Sequence, residues 1–421
     1  MRRRGPRPLL LHLMLAARRR TAPPPRRADP NATQPDPTQP DPTQPDPTQP
    51  DPTQPDLAQP DPTSPGWNAD WRIWNAGSMP PWPGLPPADL LAGDPDLIAG
   101  IAAYRRHPWS RDVPDPPLIW REGGSRLLDY GDGGQRDDGP AVLFVPSLVN
   151  RAHVLDLLPE RSMLRWLAAR GTRPLLLDWG WPGELERGFS LTDYIAGRLE
   201  RALAAVPGRV VLAGYCMGGL LALAAALRRP DRVGGLVLLA TPWDFHAAGD
   251  GMGPAAAAAL PVLEPALAAT GTLPVDALQS LFALADEAGV AQRYRAFATL
   301  DPACARARVF VALEDWLNDG VPLAAPVARE TLRDWYGANT PARERWLVAG
   351  QAVRPGALAC PVFVALPTRD RVVPRASARA LADALPRAVT WEVAAGHVGM
   401  IAGGGAEAAL WPALLAWLRA G

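Results

Sequence analysis

Cys216 lies in VVLAGYCMGGLLALAAAL (residues 210–227), where an apolar, strand-like run turns through glycines into an alanine-rich, helix-like run. The segment Gly214-Tyr215-Cys216-Met217-Gly218 has the G-x-C-x-G spacing of a nucleophile elbow. In such a turn the reactive side chain is lifted above the sheet, and small residues let strand and helix approach closely. A helix amino terminus behind the sulfur favours the thiolate. Cysteine is also among the most buried residue types, so a structural thiol is the competing reading; strand, glycines and helix together favour the nucleophile. A thiol near its ordinary pKa of about 8.5 needs a base. Of the five histidines, His12 lies in a basic leader, His107 precedes the core, and His153 and His246 follow early core strands. In the chain order nucleophile, acid, histidine, His397 in AAGHVGMIAGG holds the base position, with His246 in reserve. Asp370, in ALPTRDRVVP directly after an apolar run, is expected to hold the imidazole tautomer, with Asp244 the alternative acid. Backbone N–H groups of Met217 and of Val149 or its neighbour are expected to form an oxyanion hole. No metal-ligand cluster or phosphate-cradling loop stands in the sequence, and no cofactor is expected.

Six short apolar runs must position these residues: 141–148, 173–180, 209–216, 233–242, 360–368 and 388–396. Each reads as a buried strand, and amphipathic stretches such as ERSMLRWLAARG lie between them. Alternating strands and helices predict an α/β fold, a mostly parallel sheet covered by helices on both faces. With the elbow and the order of acid and histidine, the expected architecture is the α/β-hydrolase fold. Residues 247–350 break the rhythm with proline-interrupted helical sequence and are expected to be an inserted helical lid. The core is then split into residues 131–246 and 351–421. Residues 66–130 read as an N-terminal arm rich in proline and tryptophan (Trp67, Trp71, Trp74 and Trp82). Residues 1–65 combine the basic leader with QPDPT repeats over 34–63, whose prolines remove donors and fix φ, so this part is expected to be a disordered, extended tether.

Composition narrows the setting. The chain has 43 basic and 43 acidic side chains, so no net field recruits nucleic acid or an anionic membrane. Every basic residue among the 43 is arginine. Three widely spaced cysteines make no disulfide framework, which predicts a reducing, cytoplasmic setting. The leader MRRRGPRPLLLHLMLAARRR has the basic start of an export signal, but His12 interrupts its apolar run and three arginines close it. No stretch approaches the roughly 20 apolar residues of a spanning helix, so no transmembrane segment is expected.

The block FVPSLVNRAHVLDLLPERSMLRWLAARGTRPLLLDWGWPG (144–183), followed by GYCMGG, ATPWDF and LEDWLNDGVPLAAPVARE, resembles the polyhydroxyalkanoate synthases, bacterial enzymes that polymerise 3-hydroxyacyl-CoA. The resemblance covers roughly residues 100–421. It implies an acyltransferase with Cys216 as the acylated nucleophile, Asp370 as the acid and His397 as the base, with 3-hydroxyacyl-CoA and the growing polyester chain as partners. Long synthases carry a large N-terminal domain that is not matched here. The catalytic part is closer in size to short synthases that work with a second subunit, so a homodimer or a second synthase subunit is expected. Granule association in the cytoplasm is also implied. GYCMGG is similar to the cysteine elbow of dienelactone hydrolases as well, which keeps open a cysteine hydrolase acting on a thioester, lactone or stored polyester. A third reading is a non-catalytic, granule-associated protein.

Overall fold

The computed structural model describes residues 3, 5–8, 11, 12, 94–131, 140–249, 252–285 and 289–420. The QPDPT repeat and Trp67, Trp71, Trp74 and Trp82 lie outside the described residues. The chain first forms helix α1 (Pro95–Arg106), capped by the Asp94 side chain on the Leu97 N–H, and then a hairpin of β1 (Leu118–Glu122) and β2 (Ser125–Asp129). The core continues through β3 (Ala141–Val145), α2 (Met163–Ala168), β4 (Arg173–Asp178), and a π-helical stretch (Asp193–Leu199) running into α3 (Glu200–Ala204). Next come β5 (Val210–Tyr215), α4 (Met217–Arg228) and β6 (Val233–Leu239).

The insertion between core strands is helical: α5 (Met252–Ala258), α6 (Leu260–Thr270), α7 (Val275–Ala285), α8 (Gly289–Ala298), α9 (Ala305–Asn318) and α10 (Ala325–Glu330), the last passing into a second π-helical stretch, Thr331–Gly337. The core resumes with β7 (Val362–Pro367), α11 (Arg375–Ala384), β8 (Ala388–Val393), α12 (Gly399–Ala402), α13 (Ala406–Ala409) and α14 (Trp411–Ala420).

These strands form one eight-stranded sheet in the order β1-β2-β4-β3-β5-β6-β7-β8. From β4 to β8 every pairing is parallel, while β1 and β2 add an antiparallel edge. Side chains alternate between faces, as strand geometry requires. Leu143 and Val145 of β3 join one core with Leu212, Leu220 and Leu381, whereas Val142 and Phe144 join the other with Leu164, Met400 and Trp411. Both faces are therefore covered by helices, and near-continuous apolar strands are the sequence consequence. All six expected strands are present, each ending one to three residues before its apolar run does, where the chain leaves the sheet for a loop.

Two differences affect the expected organisation. Residues 118–129, read as part of an arm spanning 66–130, supply two strands of the sheet. Their register carries Arg126 opposite Asp178, and charged, half-exposed residues at this edge hide the strand pattern. Helix α1 is not a loose arm either. Gly100 approaches Tyr294 of α8 so closely that a Cβ there would stand 1.9 Å from the Tyr294 carbonyl oxygen, and the Tyr104 and Tyr294 rings meet edge-on at 5.7 Å. The leader residues described, expected to be disordered within 1–65, lie against the helical insertion through Arg3 and Arg7.

Candidate active site

Cys216 is the single residue between the end of β5 and the start of α4. Its backbone is at φ 56°, ψ −129°, a conformation that L residues adopt only under constraint. The constraint is local packing. The Cys216 N–H donates to the Leu239 carbonyl at 2.9 Å, and its carbonyl accepts from the Gly219 N–H at 2.9 Å. Below the turn, a Cβ on Gly218 would lie 2.0 Å from the Val145 carbonyl oxygen, and one on Gly214 would lie 2.3 Å from the Gly219 Cα. The glycines of the motif thus let β3, β5 and α4 close on one another, and that closeness holds the turn that presents the sulfur.

Asp370 follows β7. Its Oδ1 accepts from the backbone N–H groups of Val372 at 2.8 Å and Val373 at 2.9 Å, and Oδ2 accepts from His397 Nδ1 at 2.7 Å. The carboxylate is fully buried and the imidazole nearly so. This bond fixes the tautomer and leaves Nε2 as the ring nitrogen available to Cys216. The ring also lies against Tyr215, with centroids 5.2 Å apart, and the Tyr215 hydroxyl donates to the His397 carbonyl at 3.3 Å. Burial by itself lowers the imidazolium pKa. Electrostatic attraction to the Cys216 sulfur and the hydrogen bonds to Asp370 and Cys216 outweigh it, pushing His397 up to about 10.

The reserve residues are engaged elsewhere. Asp244 Oδ1 accepts from the His246 N–H at 2.9 Å and from Asn339 Nδ2 at 2.8 Å, while His246 Nε2 lies 2.7 Å from the Tyr336 carbonyl oxygen. His153 is kept neutral by burial and by neighbouring Arg111 and Arg151, which bring it down to about 4. His107 is tied to the Pro302 carbonyl at 2.9 Å.

Met217 is the first residue of α4, so its N–H has no acceptor within the helix. Val149 lines the same cavity as Cys216. Its N–H makes a long bond to Ser147 Oγ at 3.3 Å, and its carbonyl accepts from the Val321 N–H of the insertion. The cavity above Cys216 has a volume of about 90 Å³ and mostly apolar walls. The core contributes Val149, Tyr215 and His397; the insertion contributes Gln279 and Phe282 from α7 and Trp316 and Leu317 from α9. These insertion side chains are wall residues that the expectation of a lid over 247–350 does not single out; the apolar stripes of α7 and α9 are their signal in the sequence. Among the described residues no group of acidic, cysteine or histidine side chains is arranged to hold a metal ion.

The model of the alpha/beta hydrolase fold matches residues 140–403, a span running from β3 to the turn after α12. The chain belongs to the α/β-hydrolase family. Within it, the chain is similar to curated polyester polymerases. It is 28% identical over 309 residues to the poly(3-hydroxyalkanoate) polymerase subunit PhaC of Haloferax mediterranei, covering 71% of this α/β hydrolase and 63% of that relative. It is 29% identical to the subunit of the same name from Allochromatium vinosum, covering 69% of this chain and 84% of the other, and 29% identical to that of Synechocystis, covering 66% and 77%.

Proposed function

We propose that this α/β hydrolase is a polyhydroxyalkanoate synthase-like acyltransferase that takes 3-hydroxyacyl groups from CoA, holds each on Cys216 as a thioester and passes it to a hydroxyl, with release of CoA. The observation that carries the reading is a cysteine, not a serine, at the elbow, with His397 held by Asp370 beside it. Attack by the Cys216 thiolate on an acyl-CoA forms one carbon–sulfur bond and breaks another, so the acyl group stays activated. The departing CoA thiolate takes the proton of His397. In the second half, the 3-hydroxyl of the next unit or of the growing chain attacks the Cys216 thioester. Its proton passes to His397, and the Cys216 thiolate leaves, which restores the starting pair. Asp370 keeps Nδ1 occupied throughout, so both transfers run through Nε2. The N–H groups of Met217 and Val149 are assigned to the oxyanion, the latter after giving up its long bond to Ser147. The apolar lid keeps water from competing with the hydroxyl.

The reading calls for no metal or cofactor, the acyl-CoA being a substrate. It extends to a cytoplasmic setting at the polymer granule and to a second copy or a second synthase subunit as partner, on the similarity to PhaC subunits. Incubation with 3-hydroxybutyryl-CoA tests it. The expected result is CoA release matched by insoluble polyester. CoA release with free 3-hydroxybutyrate would make the protein a cysteine hydrolase instead, and no release of CoA would leave it without this activity.

A further inference from the structure

The leader is tied to the lid by its arginines. Arg3 Nε donates to Asp315 Oδ1 and its Nη2 to Asp315 Oδ2, both at 2.6 Å, a bidentate pair on α9. The same guanidinium reaches the carbonyls of His107 and Trp109, just past α1, and lies 5.5 Å from the centroid of the Tyr104 ring, whose hydroxyl donates to Asp315 at 2.7 Å. Arg7 Nε donates to Asp276 on α7 at 2.8 Å, and its Nη1 to the Asn318 carbonyl at the end of α9 at 3.1 Å. His12 is buried, with its Nε2 3.2 Å from the Arg7 carbonyl.

One short segment thus fastens α1, α7 and α9 together, and α7 and α9 form the lid side of the cavity over Cys216. Asp276 stands one helical turn before Gln279, and Asp315 immediately precedes Trp316; both Gln279 and Trp316 line the cavity. That cavity, at about 90 Å³, is far below the roughly 300 Å³ at which small-molecule pockets begin. Cys216 is only partly buried, so the pocket is narrow rather than sealed, and a ligand larger than a few water molecules needs α7 and α9 to move apart to sit over the sulfur.

We propose that the described leader residues (3, 5–8, 11 and 12) are an intramolecular strap that holds α7 and α9 over Cys216 and must unhook for the site to widen. The Arg3 pair is the stronger anchor, being the better shielded; the Arg7–Asp276 pair is more exposed and weaker. The inference concerns access to the sulfur and does not depend on the acyl chemistry proposed above.

Fluorescein maleimide labelling of the full chain tests it, with adducts assigned by peptide mass. Cys360 serves as the internal reference, since it precedes β7 at the opposite end of the parallel strands from the elbow. In Arg3→Ala/Arg7→Ala the labelling rate of Cys216 should rise roughly tenfold, the scale of losing one partly buried charge-assisted pair, while that of Cys360 stays unchanged. An unchanged rate at Cys216 would overturn the strap. So would a parallel rise at both cysteines, which would report general loosening of the fold.

Discussion

His397 carries the electrostatics of the site. Its raised pKa rests on the Cys216 sulfur and on Asp370, set against a burial that works in the opposite direction. Because the folded protein holds this proton more tightly than the unfolded chain, the pair contributes stability that is full below the ordinary histidine value of about 6.5 and is lost as pH rises through about 10. Removing the sulfur removes the largest of the raising influences. In Cys216→Ala the imidazole should therefore titrate well below about 10, as followed by NMR of the ring resonances across pH. A midpoint that does not move would mean that the sulfur and the ring are not neighbours. The candidate triad was legible in the sequence because each member stands at the end of a strand, in the order nucleophile, acid, histidine. The two N–H groups that fix Asp370 were not, since backbone donors leave no trace in residue identity.

Between elements, the elbow depends on how closely α4 sits against β3. Gly218→Ala would place a methyl group 2.0 Å from the Val145 carbonyl and 2.6 Å from that of Pro146, both backbone atoms next to the cavity-lining residues. Overpacking of this kind costs about 1–3 kcal/mol, and here it must also tilt α4 and so displace Cys216. Thermal unfolding should show the lost stability, and maleimide labelling of Cys216 should change while that of Cys360 does not. A variant with unaltered melting and labelling would show that the close approach is not what holds the turn. The strands were readable where apolar residues run without a break, as in β3 to β7, because both faces are covered. The β1–β2 hairpin escaped because LIWRE and SRLLD mix charged and apolar residues at a half-solvated edge. The two π-helical stretches, Asp193–Leu199 and Thr331–Gly337, have no marker in residue type, since they depend on hydrogen-bond register alone.

Across the whole molecule, core, lid and leader form a hierarchy of access to one sulfur. The sheet and α4 present Cys216, α7 and α9 cover it, Arg7 ties α7 to α9, and Arg3 ties α9 to α1. Among the described residues, no helix is long and apolar enough to cross a membrane. The leader's docking was hidden from the sequence because its anchors, Asp276 and Asp315, lie hundreds of residues away, and the proline-rich repeat that follows it makes residues 1–65 read as one disordered tether. What unites the three levels is the claim that Cys216 carries the acyl group, and a single-turnover experiment addresses it directly. The full chain is mixed with a limiting amount of 3-hydroxybutyryl-CoA, quenched in acid within the first turnover and digested for peptide mass spectrometry. The account predicts one 3-hydroxybutyryl adduct, on the peptide containing Cys216, formed in step with CoA release. An adduct on Cys304 or Cys360, or CoA release with no adduct on any cysteine at the earliest times, would contradict it.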